Sequence, residues 1–143
     1  MATQRVLFLC TQNSARSQMA EGLLRARAAG DDYEAFSAGS EATSMRPEAV
    51  AVMAEIGIDI AGQRSKRLDR YFGEAFDWAI TVCNFTDCES CPVFPGASQL
   101  ARWDIQDPTQ VAGSAEDRMA AFRRVRDQID GHIRDFIRDG TAG

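Results

Sequence analysis

Cys10, Arg16 and Ser17, with Thr11-Gln12-Asn13-Ser14-Ala15 between the thiol and the guanidinium, are the residues of this chain best spaced to do chemistry. The run Val6-Leu7-Phe8-Leu9 ahead of Cys10 is short, continuous and apolar, the pattern of a buried strand. A thiol at the end of that strand, with a helix opening just after Arg16, lies beneath a helix N-terminus. Unpaired backbone N–H groups and the helix dipole favour an anion there. The thiolate is the nucleophilic form of cysteine, and such a field favours it. Arg16 adds a planar fork of donors that matches a tetrahedral oxyanion. Asn13 suits a loop with unusual backbone angles, and Ser17 can donate a hydrogen bond to a thiolate. The pattern predicts a cysteine nucleophile at the floor of a phosphate-like pocket. The bland alternative is a small buried cysteine closing a strand.

The elements that must hold this loop follow from periodicity. Arg5 to Leu9 reads as the first strand, and Ser17 to Ala29 as a helix with Met19, Ala20, Leu23 and Leu24 on one face and Gly30 as its stop. Tyr33 to Ser37 is a second strand, closed by Ala38-Gly39-Ser40. Pro47 opens a second helix whose stripe is Val50, Met53 and Ile56, ending at Gly57. Phe76 to Val82 is a third strand ending at Cys83, and Gln99 to Trp103 a short fourth. The loop from Asn84 to Gly96 carries Cys88, Cys91, Pro92 and Pro95. Asp107-Pro108 marks a turn. From Met119 to Ile137 apolar residues recur at three- and four-residue steps, a long amphipathic helix that Gly140 ends. Alternating strands and helices argue for a parallel sheet whose ligand sites lie at the carboxyl ends of its strands. Cys10 and Cys83 both sit at such ends.

The length of 143 residues fits one domain spanning 1–143. A net charge of −5 argues against a nucleic-acid partner. No apolar run approaches the roughly 18 residues of a membrane span. The N-terminal apolar run is strand-length and lacks a small-residue cleavage site, so a cytoplasmic address is expected. In that compartment four cysteines point to catalysis or metal binding before disulfides. Arg64-Ser65-Lys66-Arg67-Leu68-Asp69-Arg70 reads either as a solvated helix start or as a positive rim for anions or a protein partner.

The stretch Cys10-Thr11-Gln12-Asn13-Ser14-Ala15-Arg16-Ser17-Gln18-Met19-Ala20-Glu21-Gly22 resembles the opening of the low-molecular-weight protein tyrosine phosphatase fold, and in particular the thioredoxin-coupled arsenate reductases built on it. Ser37-Ala38-Gly39, Thr81-Val82-Cys83, Cys91-Pro92, Trp103, Asp107-Pro108 and Arg123-Arg124-Val125-Arg126-Asp127 extend the likeness over nearly the whole chain. The resemblance implies a three-layer α/β/α domain with a four-stranded parallel sheet. It implies arsenate as substrate, with phosphate or sulfate as competing oxyanions, and the loop from Thr11 to Arg16 as its cradle. Cys10 would attack arsenic, Asp107 would act as acid, and Cys83 would attack Cys10 and expel arsenite. A third thiol would then leave a disulfide for thioredoxin to reduce. Cys91 carries the proline expected after that third thiol, and Cys88 is its competitor. No bound cofactor and no metal are implied, and a monomer is expected.

This chain departs from the family at three places. The interval from Cys83 to Cys91 is one residue longer than in the best-known members. Ala15 stands where members often carry a second loop cysteine. Some members bind potassium through positions matching Asn13, Glu21, Ser37 and an aspartate, and here Lys66 stands at the last of these. An ammonium beside a cation site repels it, so no potassium dependence is expected.

Two other functions compete. A phosphatase acting on phosphotyrosine or small esters needs only Cys10, Arg16 and Asp107, but Thr109-Gln110 follow the Asp-Pro pair where the phosphatases carry aromatic residues. A non-catalytic arsenic or metal sensor could use the loop from Cys83 to Cys91 but leaves the anion loop unexplained. Four zinc ligands drawn from Cys10, Cys83, Cys88 and Cys91 lack paired Cys-x-x-Cys spacing. Asp104 is a neighbour that competes with Asp107 for the acid role, and His132 reads as a boundary residue of the last helix.

Overall fold

The computed structural model describes residues 3–28, 32–83, 94 and 96–142. Among them the apolar runs form four strands: β1 (Gln4–Cys10), β2 (Tyr33–Gly39), β3 (Phe76–Cys83) and β4 (Ala97–Asp104). All pair in parallel in the order β2-β1-β3-β4, which places β1 inside the sheet, between β2 and β3. Cys10 pairs with Gly39 and Cys83 with Asp104, so both thiols end at the same rim.

Alternation along the strands sorts side chains to two faces. Val6, Phe8, Trp78, Ile80, Val82 and Trp103 meet the apolar faces of α1 (Arg16–Arg27), α2 (Pro47–Ala54) and α3 (Ala115–Asp139) in the larger core. Leu7, Leu9, Ala38 and Ala79 face the other way, and Phe76, at the start of β3 and out of that alternation, packs with them. Tyr71, from a single 3-10 turn at Leu68–Tyr71, and Phe94 cover them there. The three layers of the α/β fold are thus unequal among the described residues, with the α-helices gathered on one side.

Local sequence explains the ends. Pro47 opens α2 at a position where its missing N–H costs nothing. Ser114 caps α3 by accepting the Asp117 N–H while the Asp117 carboxylate takes the Ser114 N–H, and Gly140 closes the helix at φ 72°. The ends of most elements move by a residue or more from the sequence expectation. β2 runs on to Gly39, α2 stops at Ala54 before the Ile56 of its predicted stripe, and β4 extends to Asp104. The basic stretch starts only a single 3-10 turn, Leu68–Tyr71, and Arg67 just before it bridges Gly39. His132 does sit at a boundary, stacked on Trp103 with ring centroids 4.8 Å apart. The predicted stop at Gly30 and the thiols Cys88 and Cys91 lie outside the described residues.

Candidate active site

The loop between β1 and α1 is built so that its polar backbone divides into an outside and an inside. Each of five successive carbonyls is taken from outside. Thr11 O accepts the Glu41 N–H at 3.0 Å, and Gln12 O accepts the Ser65 and Thr43 hydroxyls at 3.0 and 3.3 Å. Asn13 O accepts Gln18 Nε2, Ser14 O the Arg46 N–H and Ala15 O the Met19 N–H. In a trans peptide the N–H points opposite to the C=O, so outward carbonyls turn the amide donors toward the pocket above Cys10. The N-terminus of α1 adds to that field, because it has neither a side-chain cap nor an acidic residue in its first turn.

Two backbone features permit the loop. Asn13 stands at φ 50°, a conformation that asparagine tolerates better than most residues. Gly39 ends β2 against the loop so closely that a Cβ there would lie 2.6 Å from Thr11 O and 2.7 Å from Cys10 O. Only glycine permits that approach.

Hydrogen-bond logic fixes what meets the sulfur. Asn13 Oδ1 accepts from Gln18 Nε2 and from the Lys66 N–H, both at 2.8 Å, so the Nδ2 end of its amide points the other way, at Ser17. Asn13 Nδ2 donates to Ser17 Oγ at 2.8 Å, and Ser17 Oγ lies 2.7 Å from Cys10 Sγ. The Ser17 hydroxyl accepts from Asn13 and keeps a proton that it can give to a thiolate at Cys10. Cys10, Asn13, Ser17 and Gln18 are all buried.

Arg16 is anchored at one nitrogen to the Ile105 carbonyl, 3.0 Å away, and its other terminal nitrogen lies 3.7 Å from Asp107 Oδ2. Its guanidinium therefore spans from the end of β4 to the loop. Cys10, Thr11, Gln12, Ser14, Ala15 and Arg16 line a pocket of about 450 Å³, closed on its other side by Cys83, Asp107, Thr109 and Gln110. Cys83 is buried beside Cys10, and burial pushes its thiol up to about 11; Arg16 and the Thr11 N–H pull against that shift, and Cys10 adds to it. At neutral pH Cys83 is a thiol that must lose its proton as it reacts.

The structure thus gathers Cys10, Ser17, Arg16, Cys83 and Asp107 around one cavity. Asp104 pairs with Cys83 across the sheet but is not among the residues lining that cavity. Among the described residues no group of three His, Cys, Asp or Glu side chains could hold a metal, and no helix is long and apolar enough to cross a membrane. The grip of Ile105 on Arg16 and of Thr109 on Asp107 has no signature in the sequence, since a backbone acceptor and a threonine carry no motif.

Beside the loop lies a charged cluster centred on Glu21. Buried Glu21 accepts the Ser37 hydroxyl at 2.6 Å and pairs with Arg25 at 2.9 Å. The Lys66 ammonium stands 3.6 Å from the same carboxylate and donates to Arg64 O at 2.6 Å. Burial lowers the Lys66 value from that of an ordinary lysine, and Glu21 opposes the shift.

A central parallel strand that delivers a thiol into an oxyanion loop at a helix N-terminus defines a class of cysteine-nucleophile α/β proteins. The profile of the family described as low molecular weight phosphotyrosine protein phosphatase matches residues 5–141, and the chain belongs to that family. The arsenate reductase of Halalkalibacterium halodurans is 41% identical over 135 residues, covering 94% of this chain and 96% of the relative. Among solved structures, an arsenate reductase in its phosphate-binding state superposes with a TM-score of 0.82 at 30% identity, covering 97% of this chain and 100% of the other. The thioredoxin-dependent arsenate reductase of Corynebacterium glutamicum gives 0.68 at 27% identity, covering 96% of this chain and 61% of that one.

Proposed function

We propose that this chain is an arsenate reductase that draws its two electrons from its own thiols and is recharged by thioredoxin. The observation that carries this reading is that Cys83, a second thiol, lines the same pocket as Cys10. Ester hydrolysis has no use for a second thiol there, whereas reduction of an oxyanion by protein thiols requires one. The names of the relatives support the substrate, and the C. glutamicum structure supports the reductant.

The chemistry balances with residues on the pocket wall. The loop amides and Arg16 hold the oxygens of the arsenate monoanion, which carries two protons, while the Cys10 thiolate attacks arsenic. One hydroxyl of the arsenate takes a proton from Asp107 and departs as water. What remains is a thioester of arsenate on Cys10, with one proton and one negative charge on its three oxygens. The Cys83 sulfur then attacks the Cys10 sulfur. The sulfur–arsenic bond breaks with its electron pair passing to arsenic, and a Cys10–Cys83 disulfide forms. The proton lost by Cys83 ends on the departing arsenite, which leaves as a monoanion with two protons. A further thiol, Cys91 by its following proline or Cys88 in its place, attacks Cys83, releases Cys10 and exposes a disulfide to thioredoxin.

A phosphatase reading shares the first step, so weak hydrolysis of a small phosphate ester is expected beside the main activity. Thr109 and Gln110 at the pocket wall offer no aromatic surface on which a phenol ring could stack. The test is NADPH consumption driven by arsenate in the presence of thioredoxin and thioredoxin reductase, measured beside hydrolysis of a chromogenic phosphate ester. Arsenate-driven consumption with slow ester hydrolysis is expected. Fast ester hydrolysis with no arsenate-driven consumption would make the chain a phosphatase.

A further inference from the structure

Asp107 is the only carboxylate lining the pocket among the described residues, and its two oxygens are treated differently. Oδ1 accepts both the backbone N–H of Thr109, at 3.0 Å, and the Thr109 hydroxyl, at 2.7 Å. Gln110 Nε2 donates to the same hydroxyl oxygen at 3.3 Å, which leaves the Thr109 proton for Asp107. Oδ2 faces Arg16, 3.7 Å away, on the side of the anion loop. Pro108 fixes the turn that brings Thr109 back over the carboxylate.

We infer that Thr109 is a positioning residue for the acid step. A carboxyl oxygen has two lone pairs, and with both engaged by donors it cannot also carry a proton. Thr109 therefore assigns the proton of the neutral acid to Oδ2, the oxygen on the substrate side. It also holds the carboxyl plane so that this proton points at the departing oxygen instead of into the turn. The inference deepens the proposed function, since it rests on Asp107 acting as the acid.

Thr109→Val keeps the shape of the side chain and removes the hydroxyl, and Thr109→Ser keeps the hydroxyl. The assays are arsenate reduction and hydrolysis of two esters, phenyl phosphate, whose leaving group needs a proton, and 4-nitrophenyl phosphate, whose leaving group needs one far less. In Thr109→Val, kcat for arsenate and phenyl phosphate is expected to fall about tenfold, a fraction of what a general acid contributes, with KM little changed. The loss on 4-nitrophenyl phosphate is smaller, and Thr109→Ser restores all three. Equal losses on both esters, a change confined to KM, or no loss at all would overturn the inference. Thr109→Ala, read the same way, decides the matter if the valine variant does not fold. A wild-type chain inactive on all three substrates would instead defeat the functional reading beneath it.

Discussion

At the scale of single residues, the site depends on groups whose state is set by their immediate neighbours. Ser17 accepts from Asn13 and keeps a proton that it can give to a Cys10 thiolate, and Asn13 is oriented because Gln18 and the Lys66 N–H occupy its other end. Cys83 differs: burial holds its thiol at about 11, against 9.0 for an ordinary cysteine. About one molecule in a thousand would then carry a Cys83 thiolate at pH 8. Alkylation of Cys83 by iodoacetamide, followed by peptide mass spectrometry, should accelerate about tenfold per pH unit from roughly pH 7.5 to 9.5. A rate that levels off below about pH 9 would show the thiol to be unshifted. The same shift has a sign for stability. Above pH 9 the unfolded thiol ionises before the folded one, so this residue's contribution to folding declines as pH rises towards 11.

At the scale of elements, β2, α1 and the segment 64–66 meet around Glu21. Ser37 comes from β2, Glu21 and Arg25 from α1, and Lys66 from the stretch that the sequence alone left open between a helix start and a basic rim. The structure divides that stretch. Lys66 turns inward to Glu21 and Arg64 O, while Arg67 stays exposed and pairs with Asp69 at 3.6 Å. With an ammonium already beside the carboxylate, a potassium ion would meet repulsion at that place. Raising potassium from zero to ~100 mM at constant ionic strength, within the range of ordinary screening, should leave kcat/KM for arsenate within about twofold. A several-fold rise would mean that Lys66 swings aside and a cation binds. The elements also show what a cap does: α3 has a full capping box worth about 1 kcal/mol, whereas α1 leaves its first turn open where the pocket needs donors.

At the scale of the whole molecule, strand and helix types were legible because burial is periodic. The continuous apolar runs of β1 and β3 and the three- and four-residue steps of α3 leave little else for those segments to be. The rim shared by Cys10 and Cys83 followed from parallel pairing alone. What pattern could not supply was close approach and partner choice. Gly39 looked like a strand terminator, and only the packed structure shows loop carbonyls where its side chain would be. Arg16 looked like a free fork of donors, yet one arm is held by Ile105 O, a backbone atom that any residue would provide. The proposed function gives the two thiols on one rim a division of labour, in which the loop would bind the oxyanion and Cys83 would turn binding into reduction. The most direct measurement is Cys83→Ser assayed with arsenate, thioredoxin, thioredoxin reductase and NADPH, and in parallel on a chromogenic phosphate ester. Arsenate-driven NADPH consumption is predicted to fall at least about a hundredfold, about 2.7 kcal/mol of barrier, while ester hydrolysis through Cys10 persists. A Cys83→Ser protein that reduces arsenate at the wild-type rate would contradict that division.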